Sequence, residues 1–208
     1  SITFNVIESN DPPAIDVTDA EVFEPVGASS IISLNLGPSI SISDADDEFL
    51  SEVKLTISSD TYLPDGANAT DSFEFPSSYD GFNIVASDSG RLLTLTPQVP
   101  KTVAEFNNLI DNISIKIEGD DPTGLGLFPS RKIVIDATDL SGDKTSKELD
   151  VNINSSDDLP SLSLGTAGSV TDISVAIENI PLFTSAVTFD DVDTRYDKFS
   201  IEMIGGLE

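Results

Sequence analysis

The residues in this chain that could do chemistry are carboxylates, and they come in clusters. Asp44-Ala45-Asp46 and Asp191-Val192-Asp193 each close a β-rich run. Side chains alternate along an extended chain, so residues two apart share one side at about 7 Å, where two carboxylates can bracket a cation. Asn10-Asp11-Pro12-Pro13 and Asp157-Asp158-Leu159-Pro160 form a second pair of clusters. Proline holds the residue before it in extended geometry, so each reads as a stiff connector with acids at its end. Asp139 stands just past the apolar run Ile133–Ile135, and Glu24, before Pro25, pairs in this reading with Glu118, Asp120 and Asp121 after a strand. Hard oxygen donors of this kind suit Ca²⁺ and, less well, Mg²⁺. For each cluster the plain alternative is a solvated Asp-rich turn; recurrence of the Asp-x-Asp pair beside the same kind of connector favours a ligand role.

Composition narrows the function classes. The 208 residues carry 37 Asp and Glu against 10 Lys and Arg, a net charge of −27. A folded domain this acidic repels itself unless cations bind it or the medium is salty. Nucleic acid is excluded as a partner, because phosphate binding needs clustered Lys and Arg. Cys and His are both absent, which removes thiolate chemistry, the usual zinc and copper ligands and the commonest general base. No Gly-x-Ser-x-Gly, P-loop or dinucleotide fingerprint is present. The expectation is therefore no catalytic residues and no enzyme; a carboxylate pair hydrolysing glycosides is the enzymatic alternative. No apolar run approaches the roughly 18 residues of a membrane helix, so membrane insertion is not expected. A start at Ser1 without a leader reads as a segment of something longer.

The elements that must position these acids are strands. Period-two or β-rich runs occupy 2–7, 39–43, 53–57, 82–85, 92–96, 113–117, 132–136 and 149–153, with Gly, Pro, Asn and Asp between them. That pattern predicts an all-β fold, an antiparallel Greek-key β-sandwich, with 38% hydrophobic content sufficient for a core. One helix is predicted over 102–112. Thr102 and Glu105 make a capping box, and Val103, Phe106, Leu109 and Ile110 one apolar stripe. The stretch 58–80 reads as an enlarged loop.

Internal repetition organises the whole. Phe4 to Pro13 matches Val151 to Pro160, and Ser39 to Asp46 matches Ala186 to Asp193, both 147 residues apart and with the same Asp positions. The domains read as 1–9, the last strand of a preceding repeat; 10–158, one complete repeat; and 159–208, the first strands of an incomplete one.

Glu24, Asp44-x-Asp46, Ala137-x-Asp139 and Asp157-Asp158-x-Pro160, in that order, resemble the cadherin-like repeat, and Asn10-Asp11-Pro12-Pro13 resembles the joint of its bacterial tandem form in large surface and adhesin proteins. The second joint departs from that form, with Asp157 where Asn is usual, and a 147-residue period is long. The resemblance implies Ca²⁺ at each joint. Asn10 and Asp11 would combine with Asp44, Asp46 and Asp139 at the upper joint. At the lower joint Asp157 and Asp158 would combine with Glu24, Glu118, Asp120, Asp121, Asp191 and Asp193. It implies an extracellular, cell-surface or secreted spacer whose partners are neighbouring repeats. Two alternatives stand beside it: a filament subunit assembled by strand donation from 2–7, and a carbohydrate- or protein-binding module using loops 60–71 and 122–128. Tyr62, Tyr79 and Phe82 could stack on a sugar or simply pack.

Overall fold

The structure, a computed structural model, describes residues 9–26, 30–46, 48–61, 69–119, 121–156, 161–163 and 188–190. The chain divides into two units, Ser1–Ser156 and Asp157–Glu208. In the first, the strands are β1 (Ala14–Val17), β2 (Ala20–Phe23), β3 (Ser30–Asn35), β4 (Ile40–Ser43), β5 (Phe49–Ile57), β6 (Ala69–Glu74), β7 (Phe82–Ser87), β8 (Leu92–Pro97), β9 (Lys101–Thr102), β10 (Ser114–Gly119), β11 (Ser130–Asp139) and β12 (Lys144–Asn154), with helix α1 at Val103–Ile110. The fold is an all-β sandwich with one short helix, as the alternation predicted. Among the described residues no helix is long and apolar enough to cross a membrane, which says nothing of a β-barrel.

One layer is a sheet in the order β2-β12-β11-β5-β8-β7, with β9 added to β5. The other is built from β3-β10-β6 and from the pair β1-β4. Alternation decides burial. Along β11 every second residue is buried (Arg131, Ile133, Ile135, Ala137 and Asp139); β5 buries Val53, Leu55 and Ile57 in the same manner, and Leu50 three residues earlier, across the shift in its register with β11. These side chains meet Ile32, Ile42, Phe73, Ile115 and Ile117 in one continuous core. Each fully buried Leu, Ile or Phe contributes roughly 1.5–3 kcal/mol.

Among the described residues the pairings are antiparallel except β12 with β2, which is parallel. The predicted strand at 2–7 lies outside the described residues. The strands at 132–136 and 149–153 are longer than predicted, at ten and eleven residues, because polar residues extend them beyond the apolar run. The stretch 58–80 is more than a loop, since β6 lies within it and pairs with β10. Strands β1, β2 and β3 were not predicted: four to six residues give a weak period.

Helix α1 begins where its cap predicts. The Thr102 hydroxyl accepts from the Glu105 N–H, and a Glu105 carboxylate oxygen accepts from the Thr102 N–H at 2.8 Å. Phe106, Leu109 and Ile110 are buried under it. Asn107 then docks the helix on β4, donating to the Ile42 carbonyl at 2.8 Å and accepting from the Ile42 N–H at 2.9 Å. One amide side chain thus stands in for a neighbouring strand.

In the second unit two strands are described, β13 (Ser161–Ser163) and β14 (Thr188–Asp190), paired antiparallel with Leu162 opposite Phe189. In the first unit Ile15 lies opposite Ile42. The two registers coincide at every described position under the 147-residue shift.

Candidate metal centre at the connector

The upper cluster forms where two loops meet the connector. Strand β11 ends in Asp139, which turns into β12 through residues 140–143, with Gly142 at φ +93°. The Asp139 side chain organises this turn itself. One carboxylate oxygen accepts from the Gly142 N–H at 2.7 Å and the Asp143 N–H at 2.9 Å, and the backbone N–H of Asp139 donates to the Asp143 carbonyl. The β11–β5 register shifts between Thr138 and Asp139, and the Ser51 hydroxyl donates to the Asp139 carbonyl at 2.6 Å.

Onto this turn the connector fastens. The Asn10 amide donates to Asp139 and to Asp143, both at 2.8 Å. The next residue, Asp11, donates its backbone N–H to the Asp46 carboxylate at 3.0 Å, and the Asp46 N–H donates to Asp44. Asn10 and Asp11 therefore stitch the β11–β12 turn to the loop after β4. A groove of about 420 Å³ runs beside the seam, lined in part by Asp44, Glu48, Thr102 and Asn107.

Asp139, just past the apolar run of β11, is fully buried. Burial pushes its carboxyl pKa up, but the hydrogen bonds from Asn10 and from the N–H groups of Asp143, Gly142 and Ser141 outweigh this and hold it below the ordinary carboxylate value. The structure brings Asn10, Asp11, Asp44, Asp46 and Asp139 to one end of the sandwich and adds Asp143, which sequence reasoning missed. Its signal was present: Asp139-Leu-Ser-Gly-Asp143 has the Asx-turn pattern of an Asp followed by Gly at a left-handed position.

The lower cluster is described only in part. Glu24 is buried and accepts from the Ser156 N–H at 3.0 Å. Glu118 is half-exposed and pairs with Lys116 at 2.9 Å. Asp121 is buried, and its carboxylate accepts from the N–H groups of Thr123 and Leu125, which makes it the organiser of its own loop. Asp120, Asp157, Asp158, Asp191 and Asp193 lie outside the described residues.

The carboxylates at the connector are hard oxygen donors that fit Ca²⁺ chemically; the Asn10 amide nitrogen serves only to donate hydrogen bonds, and Asn10 could ligate through its Oδ1 alone. Among the described residues, however, no three acidic side chains converge as a metal-holding group. Asp139 already receives N–H donors on both oxygens. What the arrangement does by itself is fix the entering chain against the sandwich end.

No family model matches the chain, and no curated protein matches it. Among solved structures it is similar to the SrpA adhesin from Streptococcus sanguinis, at 12% identity over 77% of this chain and 68% of that one, with a TM-score of 0.30. It is also similar to the sialic acid binding region of a Streptococcus sanguinis SK1 adhesin, at 13% identity over 77% of this chain and 34% of that one, TM-score 0.31. A collagen-binding domain from a Staphylococcus aureus adhesin matches at 11% identity over 71% of this chain and 99% of that one, TM-score 0.25. TM-scores of this size carry no argument about this chain, and the fold stands on its own strand order and register.

Two buried polar groups elsewhere had no sequence reading. Arg131, on β11, and Asp71, on β6, meet across the two layers, the guanidinium Nε donating to the carboxylate at 2.8 Å. The same guanidinium donates to the carbonyls of Pro122 and Phe128, so it also closes the loop before β11. An isolated Arg in a strand and a distant Asp give no pattern to find.

Proposed function

We propose that the chain is one repeat and the opening of the next in a tandem β-sandwich rod, an extracellular spacer or adhesive module with Ca²⁺ at its connectors. The observation that carries this is a shared antiparallel register: Ile15 opposite Ile42 and Leu162 opposite Phe189, at the same 147-residue separation as the recurring acids. Two segments with one local sequence plan and one pairing register are what a tandem array of like units requires. The pinned connector supports the mechanical half of the reading. A rod transmits orientation only if the chain entering each unit is fixed to it, and Asn10 and Asp11 are fixed to two different loops.

The residues that would hold Ca²⁺ at this end are Asp11, Asp44, Asp46, Asp139, Asp143 and the Asn10 side chain. The ion would supply charge neutralisation among carboxylates of a chain at −27. A melting curve in millimolar calcium against chelator tests it. A site filled to 100 times its dissociation constant adds about 2.7 kcal/mol, or roughly 5–10 °C for a domain of this size. A shift under about 2 °C at constant ionic strength sinks the calcium part and leaves a spacer held by hydrogen bonds alone.

A further inference from the structure

Strand β7, Phe82–Ser87, is an outer edge of the larger sheet, paired on one side only, to β8. Its open side can be read residue by residue. The Gln98 N–H donates to the Gly81 carbonyl across this hairpin at 2.8 Å. Hydrogen-bonded and non-bonded pairs alternate in an antiparallel ladder, so the pairs Asn83–Thr96, Val85–Thr94 and Ser87–Leu92 are the bonded ones. Pro97, which has no N–H, then falls opposite Phe82 at a non-bonded pair, as it must. The backbone groups of Ile84 and Ala86 therefore point away from the sheet, and among the described residues no strand pairs with them.

Soluble proteins protect such an edge with charge, Pro or a bulge. Strand β7 reads Phe-Asn-Ile-Val-Ala-Ser, with no charged residue or Pro after its first position, in a chain that is 23% charged. Asn83, Ala86 and Ser87 are exposed and Val85 is 48% exposed. At the N-terminal end of the strand lies a pocket of about 350 Å³ lined by Tyr79, Asp80, Phe82, Lys101, Glu105 and Asn108. What fits there is shown by the protein's own ammonium group. Lys101 Nζ sits 5.6 Å from the Phe82 ring centroid and 2.9 Å from a Glu105 oxygen. Lys101 already covers that ring and pairs with Glu105, so it is Asp80, at the mouth, that favours a further basic side chain.

We propose that the β7 edge and this pocket form a docking site for an extended polypeptide segment of another protein, apolar or β-branched along its length and carrying Lys or Arg. The segment adds as a seventh main-path strand next to β7, its backbone bonding to Ile84 and Ala86 and a basic side chain entering the pocket. Charge decides against a second copy as the occupant, since two chains at −27 repel.

The test is titration of the whole chain with the peptide Lys-Val-Thr-Val-Thr-Val-Lys, read by amide hydrogen exchange and NMR shifts. The expected result is slowed exchange at the Ile84 and Ala86 amides by tenfold or more at saturation, with β2 and β6 unchanged. Ala86→Pro removes an outward N–H without touching a bond to β8, so it should abolish binding with the melting temperature within a few degrees of wild type. Asp80→Asn should weaken binding several-fold. Equal binding of the matched peptide with Glu in place of Lys would overturn the proposal, as would unchanged affinity in Ala86→Pro. So would protection of the same amides by raised protein concentration without peptide, which would make the edge a self-interface.

Discussion

Arg131 and Asp71 join the two layers of the sandwich through a contact with no exposure to solvent: the Arg131 side chain is 0% and the Asp71 side chain 1% exposed. A chain without cysteine has no disulfide to span its layers, and this pair spans them instead. A buried ion pair is costly to break and is often replaceable, because desolvation offsets much of its attraction. Asp71→Ala should therefore cost about 3–5 kcal/mol in urea unfolding, by stranding the guanidinium. The double change Asp71→Leu with Arg131→Met should recover most of that. If the single change costs under about 1 kcal/mol, the pair is not the clamp described.

The connector turn should show itself in acid. Asp139 has a folded-state pKa held below its unfolded value, so the native state binds fewer protons than the unfolded state between the two values. Its contribution is fully present above the unfolded value of about 3.9 and is lost as pH falls through the folded one. Asp139→Asn should be less stable than wild type at pH 7, with the gap narrowing below about pH 4. A gap independent of pH between 2 and 7 would contradict the assignment.

Asn10→Ala tests the seam without touching the core. Loss of both 2.8 Å bonds should speed amide exchange at Asp11, while global stability falls by about 1–3 kcal/mol, since the buried Asp139 carboxylate loses a donor. Protection at Asp11 equal to wild type would mean that the Asp46 contact alone holds the connector.

Helix α1 depends on its first turn. Thr102→Ala removes the cap on the Glu105 N–H and should cost about 1 kcal/mol, while Thr102→Ser should cost far less. Thermal unfolding of the two variants separates the lost hydroxyl from the lost methyl group.

Gly37 has no room for a side chain. A Cβ there would lie 2.8 Å from the Asp111 Cα and closer still to its carboxylate, and backbone cannot swing aside as a long side chain can. Gly37→Ala should destabilise by about 1–3 kcal/mol. Pairing it with Asp111→Gly should recover little, because the backbone at position 111 still stands in the way.

What the sequence determined by itself was whatever is local or repeated. Period-two alternation sets which face of β5, β8, β10 and β11 goes inside, since a strand has only two faces. Thr102 and Glu105 set where α1 begins, since a capping box is complete within four residues. The 147-residue repetition paired Ser39–Asp46 with Ala186–Asp193, but which strand lies beside each was not legible, because β1 and its counterpart at Ser161–Ser163 are too short to show a period. Asp11, Asp44 and Asp46 stand out in the sequence because they recur, and Asp139 because it follows an apolar run; their grouping at one end was what the family resemblance implied. Tertiary structure alone decided what each carboxylate does. Asp139 and Asp121 turned out to be buried turn organisers, since backbone N–H groups folded back on them, and that depends on loop closure. Arg131 found Asp71 sixty residues away only because two layers stack, and β7 became an edge only because no later strand among the described residues returned beside it. The clusters were written in the chain; the partners of their oxygens were set by packing.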